Sequence, residues 1–272
     1  MQDAFAYCAE LVRAADRDRF LAALFAPVEH RQALHALYAF NIEVARVREA
    51  AREPMPGEIR LQWWREVISG EREGEAQANP VAAALLATIE RHGLAANRFT
   101  ALIEARRFDL YDEPMATLAD LEAYASDTSS ALFSLAAQIL GADAEAAAEP
   151  AGIAYAVTGL VRAFPLHAAR HQIYLPAELL DRHHVRIEDI LAGQSSAGLN
   201  AALAALRELA RERLRASRGP ITALPAFLPA ALVRPSLERL DHCDAFAPVE
   251  LSLWRRQWLI WRAARNPARI VG

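Results

Sequence analysis

The sequence contains no lysine, so all 30 of its basic residues are arginines. The formal net charge is −4, which argues against a general nucleic-acid binder, although local arginine clusters remain available as basic surfaces. Cysteine is scarce as well. Cys8 and Cys243 are far apart and lack the spacing of metal ligands, so they do not suggest a disulfide framework and they fit a reducing compartment.

Long hydrophobic runs are also missing. No apolar stretch approaches the roughly 20 residues that cross a bilayer. The first turn carries charge, where a signal peptide would have an apolar core. We therefore expect a cytoplasmic protein whose membrane contact is at most peripheral, on the inner face of the cytoplasmic membrane.

The abundant residue types favour helices. Hydrophobic residues make up 54% of the 272 positions, alanine and leucine dominate, and there are only 11 glycines. A chain of this length can bury a substantial core without disulfides or metal ions. The sequence shows no alternation typical of strands, no internal repeat and no long linker. We therefore predict one all-α domain that comprises residues 1–272.

Several helix boundaries follow from local signals. A charged break over 16–19 divides the first helical stretch, and Asn79 before Pro80 is typical of a helix start. Thr117 and Asp120 have capping-box spacing. Further predictions are a helix over 28–52, a loop over 70–78, helices over 121–140, 201–217 and 248–265, and a helix that starts at Pro150 and kinks or ends at Pro165.

The predicted helix over 28–52 changes character along its length. One face carries, at helical spacing, Leu34, Leu37, Tyr38, Asn41, Ala45 and Arg48. This stripe is apolar at its start and loses that character toward its end. Such a change is typical of a helix that leaves a core and enters a cavity or solvent.

Two stretches carry a resemblance to a known family. Residues 37–50 read LYAFNIEVARVREA, and residues 151–176 read AGIAYAVTGLVRAFPLHAARHQIYLP. They resemble the two signature helices of squalene/phytoene synthases, which read roughly L-Y-A-F-C-R before D-D-x-x-D, and R-D-V-x-E-D before G-R-I-Y-L-P. The resemblance covers nearly the whole chain. It implies an isoprenoid-synthase-type helical bundle around a central cavity.

The sequence departs from this family at the metal-binding positions. Ala45 and Ala163 stand where the enzymes have leading aspartates, and Glu49 and His167 stand where they have trailing ones. Alanine cannot ligate a metal, and histidine is a poor ligand for Mg²⁺. Because these positions depart from the family pattern, we expect no catalytic residue and no cofactor. Mg²⁺ is expected only if the chain is an active head-to-head prenyltransferase, which is the alternative interpretation.

A second resemblance is more specific. One subgroup of the family lacks the aspartate motifs and includes the mitochondrial assembly factor of respiratory complex I. The resemblance to it rests on Ala39-Phe40-Asn41 with Glu43, Leu61-Gln62-Trp63-Trp64, Tyr124 with Ser129-Ser130-Ala131-Leu132, Arg162-Ala163 with Pro165 and His167, and Leu224-Pro225-Ala226-Phe227-Leu228. It implies a non-catalytic assembly or scaffold factor whose partners are complex I subunits or assembly intermediates. A carrier that holds a prenyl diphosphate or lipid in the old cavity is compatible with that role.

The degenerate motifs suggest an anion site. Arg46, Arg48, Arg162 and Arg170 lie in or beside them and could bind a diphosphate or lipid headgroup without metal, because arginine matches phosphate oxygens. Solvated surface arginines are the alternative. The aromatic residues expected to line the cavity, with plain core packing as the alternative, are Tyr38, Phe40, Phe164 and Tyr174.

Three further features have competing interpretations. Because no cysteine or acidic residue completes a ligand set, we expect His167, His171, His183 and His184 to be ordinary surface or cavity histidines rather than metal ligands. The stripe formed by Trp254, Trp258 and Trp261 could lie in a membrane interface, but apolar stripes usually pack on the core, and we predict that. The uncharged run 220–233 is the stronger candidate for membrane or partner contact, through Leu224, Phe227 and Leu228.

Overall fold

A computed structural model describes residues 1–50, 53–217 and 223–271 of the chain. The secondary structure in these ranges is helical, joined by turns and loops, and they contain no strand, which confirms the predicted all-α class. The helices are α1 (Gln2–Ala15), α2 (Arg17–Ala23), α3 (Val28–Ala45), α4 (Val47–Ala50), α5 (Pro54–Ser69), α6 (Glu73–Ala78), α7 (Pro80–His92), α8 (Ala96–Ala105), α9 (Leu118–Ala125), α10 (Ala131–Ile139), α11 (Glu145–Arg162), α12 (Phe164–Ala169), α13 (Ala177–Arg182), α14 (Ile187–Leu191), α15 (Ala197–Ala216), α16 (Leu224–Phe227), α17 (Val233–Leu240), α18 (Leu253–Arg265) and α19 (Ala268–Val271).

The helix starts predicted from capping residues are confirmed. The Asn79 side chain accepts hydrogen bonds from the N–H groups of Val81 and Ala82 at 2.9 and 3.1 Å. At the start of α9, Thr117 and Asp120 form the reciprocal capping box. These side chains satisfy N–H groups that have no partner within the first turn of a helix.

The helix predicted over 28–52 is interrupted. α3 ends at Ala45, Arg46 leaves the helical conformation, and α4 follows. No proline or glycine marks this break in the sequence. The predicted end at Arg52 lies outside the described residues. The interruption therefore lies within the degenerate first motif, with Ala45 at the end of α3 and Arg48 and Glu49 in α4.

Other boundaries differ from the prediction. The 70–78 segment is not all loop, because two glutamates in the first turn of α6 favour a helix start there. The helix predicted over 121–140 contains a π-helical turn, Ser126–Ser130, between α9 and α10. Pro150 lies inside α11, which starts five residues earlier. Because proline has no N–H, the hydrogen bond from position 150 to the carbonyl of Ala146 is missing from α11.

The helices α3 and α11 lie at the centre of the core. α11 packs against α10, α15 and the π-helical turn. Gly152 allows the closest approach, since a Cβ atom there would lie 2.3 Å from Cα of Ser130. Buried apolar residues form one cluster from Ala4 to Ile270.

The membrane or partner contact predicted for Phe227 and Leu228 is wrong. Phe227 and Leu228 are buried, with Phe227 packed edge-on against Phe133 at 5.7 Å, so neither can contact a membrane or partner in this fold. Leu224 is only partly buried, and residues 220–222 of the run are outside the described residues.

The tryptophan stripe does not pack on the core. Trp254 is 82% exposed, Trp258 50% and Trp261 47%. α18 packs on the core instead through Ile260 and Ala263, on its other side. The large aromatic residues therefore face outward although their spacing is that of a core stripe.

Candidate functional site

A cavity of about 240 Å³ lies between α2, α3, α9, α11, α12 and the turns near them. Its apolar wall includes Leu132 and Leu160. Among the described residues, none that line this cavity is acidic. The polar residues that line it are Arg19, Asn41, Arg106, Tyr124, Thr128, Ser129, Tyr155 and His167.

Arg19 is one of two arginines that line this cavity. It is 7% exposed and donates a hydrogen bond of 2.7 Å to Asp16, the N-cap of α2. Its guanidinium lies over the rings of Tyr155 and Tyr38, at 5.0 and 5.7 Å from their centroids. Burial opposes its charge, but Tyr155 and Asp16 outweigh burial and raise the pKa of Arg19. The cavity therefore contains a fixed positive charge.

Arg106 is the second arginine, in a 3₁₀ turn (Arg106–Leu110) that follows α8. It donates hydrogen bonds to the Tyr124 hydroxyl at 2.7 Å and to the Asp109 carboxylate at 3.1 Å. Burial would lower its pKa, yet Tyr124 and Asp109 more than offset this and raise the pKa. Arg106 is therefore also charged.

Asp109 holds this side of the cavity together. Its Oδ1 accepts hydrogen bonds from the hydroxyls of Tyr124 and Tyr174 at 2.8 and 2.7 Å. Its backbone carbonyl accepts a further bond from the Gln172 amide at 3.0 Å. Burial raises the pKa of both Tyr124 and Tyr174, so both remain neutral hydroxyl donors. The network fixes Arg106 in place.

Several polar atoms at the cavity have no partner. Asn41 Oδ1, Arg106 Nε, Ser129 Oγ and His167 Nδ1 are buried and make no hydrogen bond within the described ranges. Such atoms are costly unless a ligand or water satisfies them. Four of them around one cavity are typical of a site that binds a polar group.

His167 is neutral at physiological pH. Burial lowers the pKa of His167 to about 4; Arg170 also lowers it, and Asp109 opposes the shift. Its ring lies 4.7 Å from the Tyr174 ring, centroid to centroid. The residue thus offers an uncharged nitrogen to the cavity.

The positions of the degenerate motifs diverge in space. Ala163 and His167 line the cavity, whereas Glu49 is exposed. Arg170 donates to Glu49 at 2.9 Å, and Arg46 lies 4.0 Å from it. Ala45 ends α3 and is partly buried.

The side chains at these positions do not fit Mg²⁺. Over the described part of the chain, no three His, Cys, Asp or Glu residues come together in a group that could hold a metal ion. In particular, His171, His183 and His184 belong to no such group among the described residues. Mg²⁺ prefers carboxylate oxygens, and the cavity wall supplies arginine, amide, hydroxyl and imidazole groups instead.

The four arginines predicted to bind anions do not line this cavity. Arg46 and Arg170 share Glu49, and Arg48 donates to Asp112 at 2.6 Å. Arg162 is partly buried. Arg19 and Arg106 were not predicted as site residues, because Arg19 lies in a charged break typical of solvent and Arg106 follows an ordinary surface helix.

The four aromatic residues predicted for the cavity lie elsewhere too. Tyr38 contacts Arg19, and Tyr174 belongs to the Asp109 network that holds Arg106. Both tyrosines therefore contact the residues that line the cavity without lining it themselves. Phe40 packs on Trp64 and Phe99, and Phe164 packs on Phe246. The two phenylalanines therefore pack in the core, which was the alternative to lining the cavity.

Comparisons with curated proteins find relatives along most of the chain. The NADH dehydrogenase (ubiquinone) complex I, assembly factor 6 of Rattus norvegicus is 31% identical over 94% of this chain and 82% of that protein. Its Homo sapiens counterpart is 30% identical over 88% of this chain and 74% of that protein. A phytoene synthase of Thermus thermophilus is 28% identical over 96% of this chain and 94% of that enzyme.

Solved structures share the fold. A dehydrosqualene synthase in complex with a ligand superposes with a TM-score of 0.81 at 20% identity, over 98% of this chain and 97% of the other. The squalene synthase of Alicyclobacillus acidocaldarius gives 0.67 at 22% identity, over 98% and 95%.

The family predicted from the sequence is therefore confirmed by relatives about 30% identical over most of the chain and by a family model that covers most of it. That model describes squalene/phytoene synthases and matches residues 12–262. This chain belongs to the squalene/phytoene synthase family.

Proposed function

We propose that this chain is a non-catalytic member of its family that serves as an assembly or scaffold factor for respiratory complex I. The observation that carries the proposal is the chemistry of four positions, Ala45, Glu49, Ala163 and His167, where the family's enzymes have aspartates. Only one carboxylate remains, and it is paired with Arg170 on the surface.

The lost carboxylates matter because of what Mg²⁺ does in such enzymes. The ion neutralises the diphosphate and helps it leave, and it needs carboxylate ligands. Two alanines supply no ligand, and the neutral His167 is a poor one. No diphosphate ionisation step is therefore assigned to this site.

An active prenyltransferase is the alternative, and it would need replacement carboxylates. Glu43, near the first motif, is paired with Arg60. Asp109 is occupied by Arg106 and two tyrosines. Neither carboxylate is therefore free to hold a metal ion, and this favours the non-catalytic function.

The partner follows from similarity. Two of the relatives are assembly factors named for complex I, and the similarity spans most of both chains. This supports complex I subunits or assembly intermediates as partners. The site of action would be the cytoplasm or the inner face of the cytoplasmic membrane.

Gene deletion in the source organism tests the proposal. We expect less assembled complex I on native gels and lower NADH:quinone activity, both restored by the wild-type gene. Glu49→Gln should restore them equally, because the carboxylate has no metal to bind. Normal complex I in the deletion strain, together with loss of an isoprenoid product, would contradict the proposal.

A second candidate function, compatible with the first, is a carrier for an anionic ligand. It is favoured by the two charged arginines and four unpaired polar atoms around a cavity without a carboxylate. Arg19 and Arg106 would bind a phosphate or carboxylate head without metal. Leu132 and Leu160 would contact an apolar tail. A prenyl diphosphate or a lipid meets this description.

Calorimetry with farnesyl diphosphate in EDTA tests the carrier function. Gly159 is the position to change, because it lines the cavity and a Cβ atom there meets nothing within 4 Å. We expect wild type and Gly159→Ala to bind alike and Gly159→Leu, which fills the space, to bind at least about tenfold more weakly. Absence of heat with wild type, or equal binding by Gly159→Leu, would exclude this ligand from the cavity.

A further inference from the structure

α18 presents an aromatic face to solvent. Trp254, Trp258 and Trp261 follow each other at helical spacing, each about half exposed or more, and Leu253 beside them is 46% exposed. Tryptophan is rarely left outward in such a row on a soluble surface, and contiguous exposed apolar patches mark interaction sites. The face therefore needs an explanation other than fold stability.

The same segment carries charge of one sign. Residues 253–271 contain five arginines and no acidic residue, on a chain whose net charge is −4. Arg256 pairs with Asp18 and ties α18 to α2. In the described part of the chain the other four, Arg255, Arg262, Arg265 and Arg269, have no carboxylate partner within 4.0 Å. This segment is therefore a cationic patch on an acidic protein.

Arginine and tryptophan are paired within this face. The Arg262 guanidinium lies 4.8 Å from the Trp258 ring centroid, and that of Arg265 lies 5.0 Å from the Trp261 centroid. Stacking on a ring orients each guanidinium while leaving its N–H groups available. The charges are thus held beside the aromatic rings.

A groove of about 250 Å³ lies next to this row, between α17 and the last two helices. Arg234, Arg255, Arg262 and Arg269 line it together with Trp258. Glu238 is the single carboxylate among the described lining residues, and Arg234 pairs with it at 3.2 Å. Three arginines therefore remain to bind an anion such as a phosphate group.

We propose that the α18–α19 face docks on an anionic phospholipid membrane. The tryptophans insert at the level of the headgroups, where their amphipathic rings are stable, and the groove binds lipid phosphates. Arginines near such a surface each increase partitioning roughly fivefold. The described residues include no helix long and apolar enough to cross a bilayer, so the contact is interfacial.

The charge pattern favours a lipid surface over a protein partner. Tryptophan and arginine are enriched at protein interfaces as well as in interfacial helices. The single sign of the charge is what favours lipid, because residues 253–271 contain five arginines and no acidic residue and so match a uniformly anionic surface. The proposal does not depend on the complex I role or on the contents of the cavity.

Vesicle flotation tests the proposal with the full-length protein. We expect it to float with vesicles of phosphatidylcholine that contain about one-third phosphatidylglycerol, an anionic lipid, and to float only weakly with phosphatidylcholine alone. Raising the salt concentration should release it from the anionic vesicles. Trp254→Ala combined with Arg255→Gln and Arg262→Gln should lose at least about tenfold in partitioning. Trp254 is 82% exposed, so its truncation should leave the thermal unfolding curve unchanged.

A matched variant controls for net charge. The variant Arg182→Gln with Arg186→Gln also removes two positive charges, but at exposed positions outside the α18–α19 face. It should float like wild type. Wild type that fails to float with the anionic vesicles would overturn the proposal. So would a triple variant that floats like wild type, or a control that loses binding equally. The face would then serve a protein partner. Capture of an acidic peptide by wild type but not by the triple variant would show this.

Discussion

Arg170 donates a hydrogen bond of 2.9 Å to Glu49 and so links the end of α12 to α4, the two segments that carry the degenerate motifs. Glu49 is the only carboxylate at the four positions where the family's enzymes have aspartates. In this chain an arginine engages that carboxylate. The pair is half exposed, with side-chain exposures of 45% and 50%.

The exposure of this pair predicts a small contribution to stability. In a double-mutant cycle of Glu49→Gln and Arg170→Gln, the coupling free energy should be about 0–1 kcal/mol. It should shrink in 1 M salt, because solvent and ions screen exposed charges. Urea unfolding measures it. A coupling well above this range would mean that the pair is buried in solution.

Glycines in α11 predict opposite effects of the same substitution. Gly152→Ala places a methyl group against the Ser130 backbone and should destabilise the protein by about 3 kcal/mol. Gly159→Ala enters open space and should be neutral or stabilising by about 0.5–1 kcal/mol, because alanine favours helix. Denaturant midpoints of the two variants give the comparison. Equal midpoints would contradict the close packing of α11 on the π-helical turn.

Asp109 should matter far more than a neighbouring aspartate. Asp109→Asn removes the buried charge opposite the partly buried Arg106 and should cost about 3 kcal/mol of unfolding free energy. Asp112→Asn is the control, because Asp112 is 64% exposed and pairs with Arg48 at the surface. Its cost should stay below about 1 kcal/mol. Similar costs for the two variants would show that Asp109 is not the centre of a buried network.

His35 predicts an acid-dependent loss of stability. Burial, with a smaller effect of Arg31, lowers the pKa of His35 to about 4, below the value near 6.5 expected in the unfolded chain. The unfolded state therefore binds more protons between pH 6.5 and 4, and the free energy of unfolding falls as pH falls through that window. The full loss from this residue is about 3 kcal/mol.

The variant His35→Phe isolates this effect. Phenylalanine retains the stack on Phe20, whose ring lies 5.3 Å away, and it cannot titrate. The stability of the variant should depend less on pH between 6.5 and 4 than that of wild type, by about the same 3 kcal/mol. Parallel pH profiles would show that His35 does not remain neutral in the folded protein.

Features that depend on neighbouring residues were predictable from the sequence. The caps at Asn79 and Thr117 are confirmed because the side chain and the N–H groups it satisfies lie within three residues. The two signature stretches identified the family and hence the fold, since their register is fixed by runs such as 173–176. The cavity position of Ala163 agrees with that register.

Features that depend on tertiary packing were not predictable. Nothing local distinguishes Arg19 from the charged residues around it; its burial results from contacts with Tyr38 and Tyr155, which lie on α3 and α11. The tryptophans of α18 have the spacing of a core stripe, yet smaller residues on the other face are the ones that pack. Phe227 belongs to an uncharged run with the composition of a surface patch, and Phe133 covers it.

The most direct test of the central claim is a prenyltransferase assay. The purified protein is incubated with radiolabelled farnesyl and geranylgeranyl diphosphates and Mg²⁺ or Mn²⁺, beside an active phytoene synthase, and the products are extracted. We expect no hydrocarbon product and no diphosphate release from this protein while the control turns over. A squalene- or phytoene-like product from wild type, absent from a preparation of Gly159→Leu, would contradict this expectation and show that this cavity is catalytic.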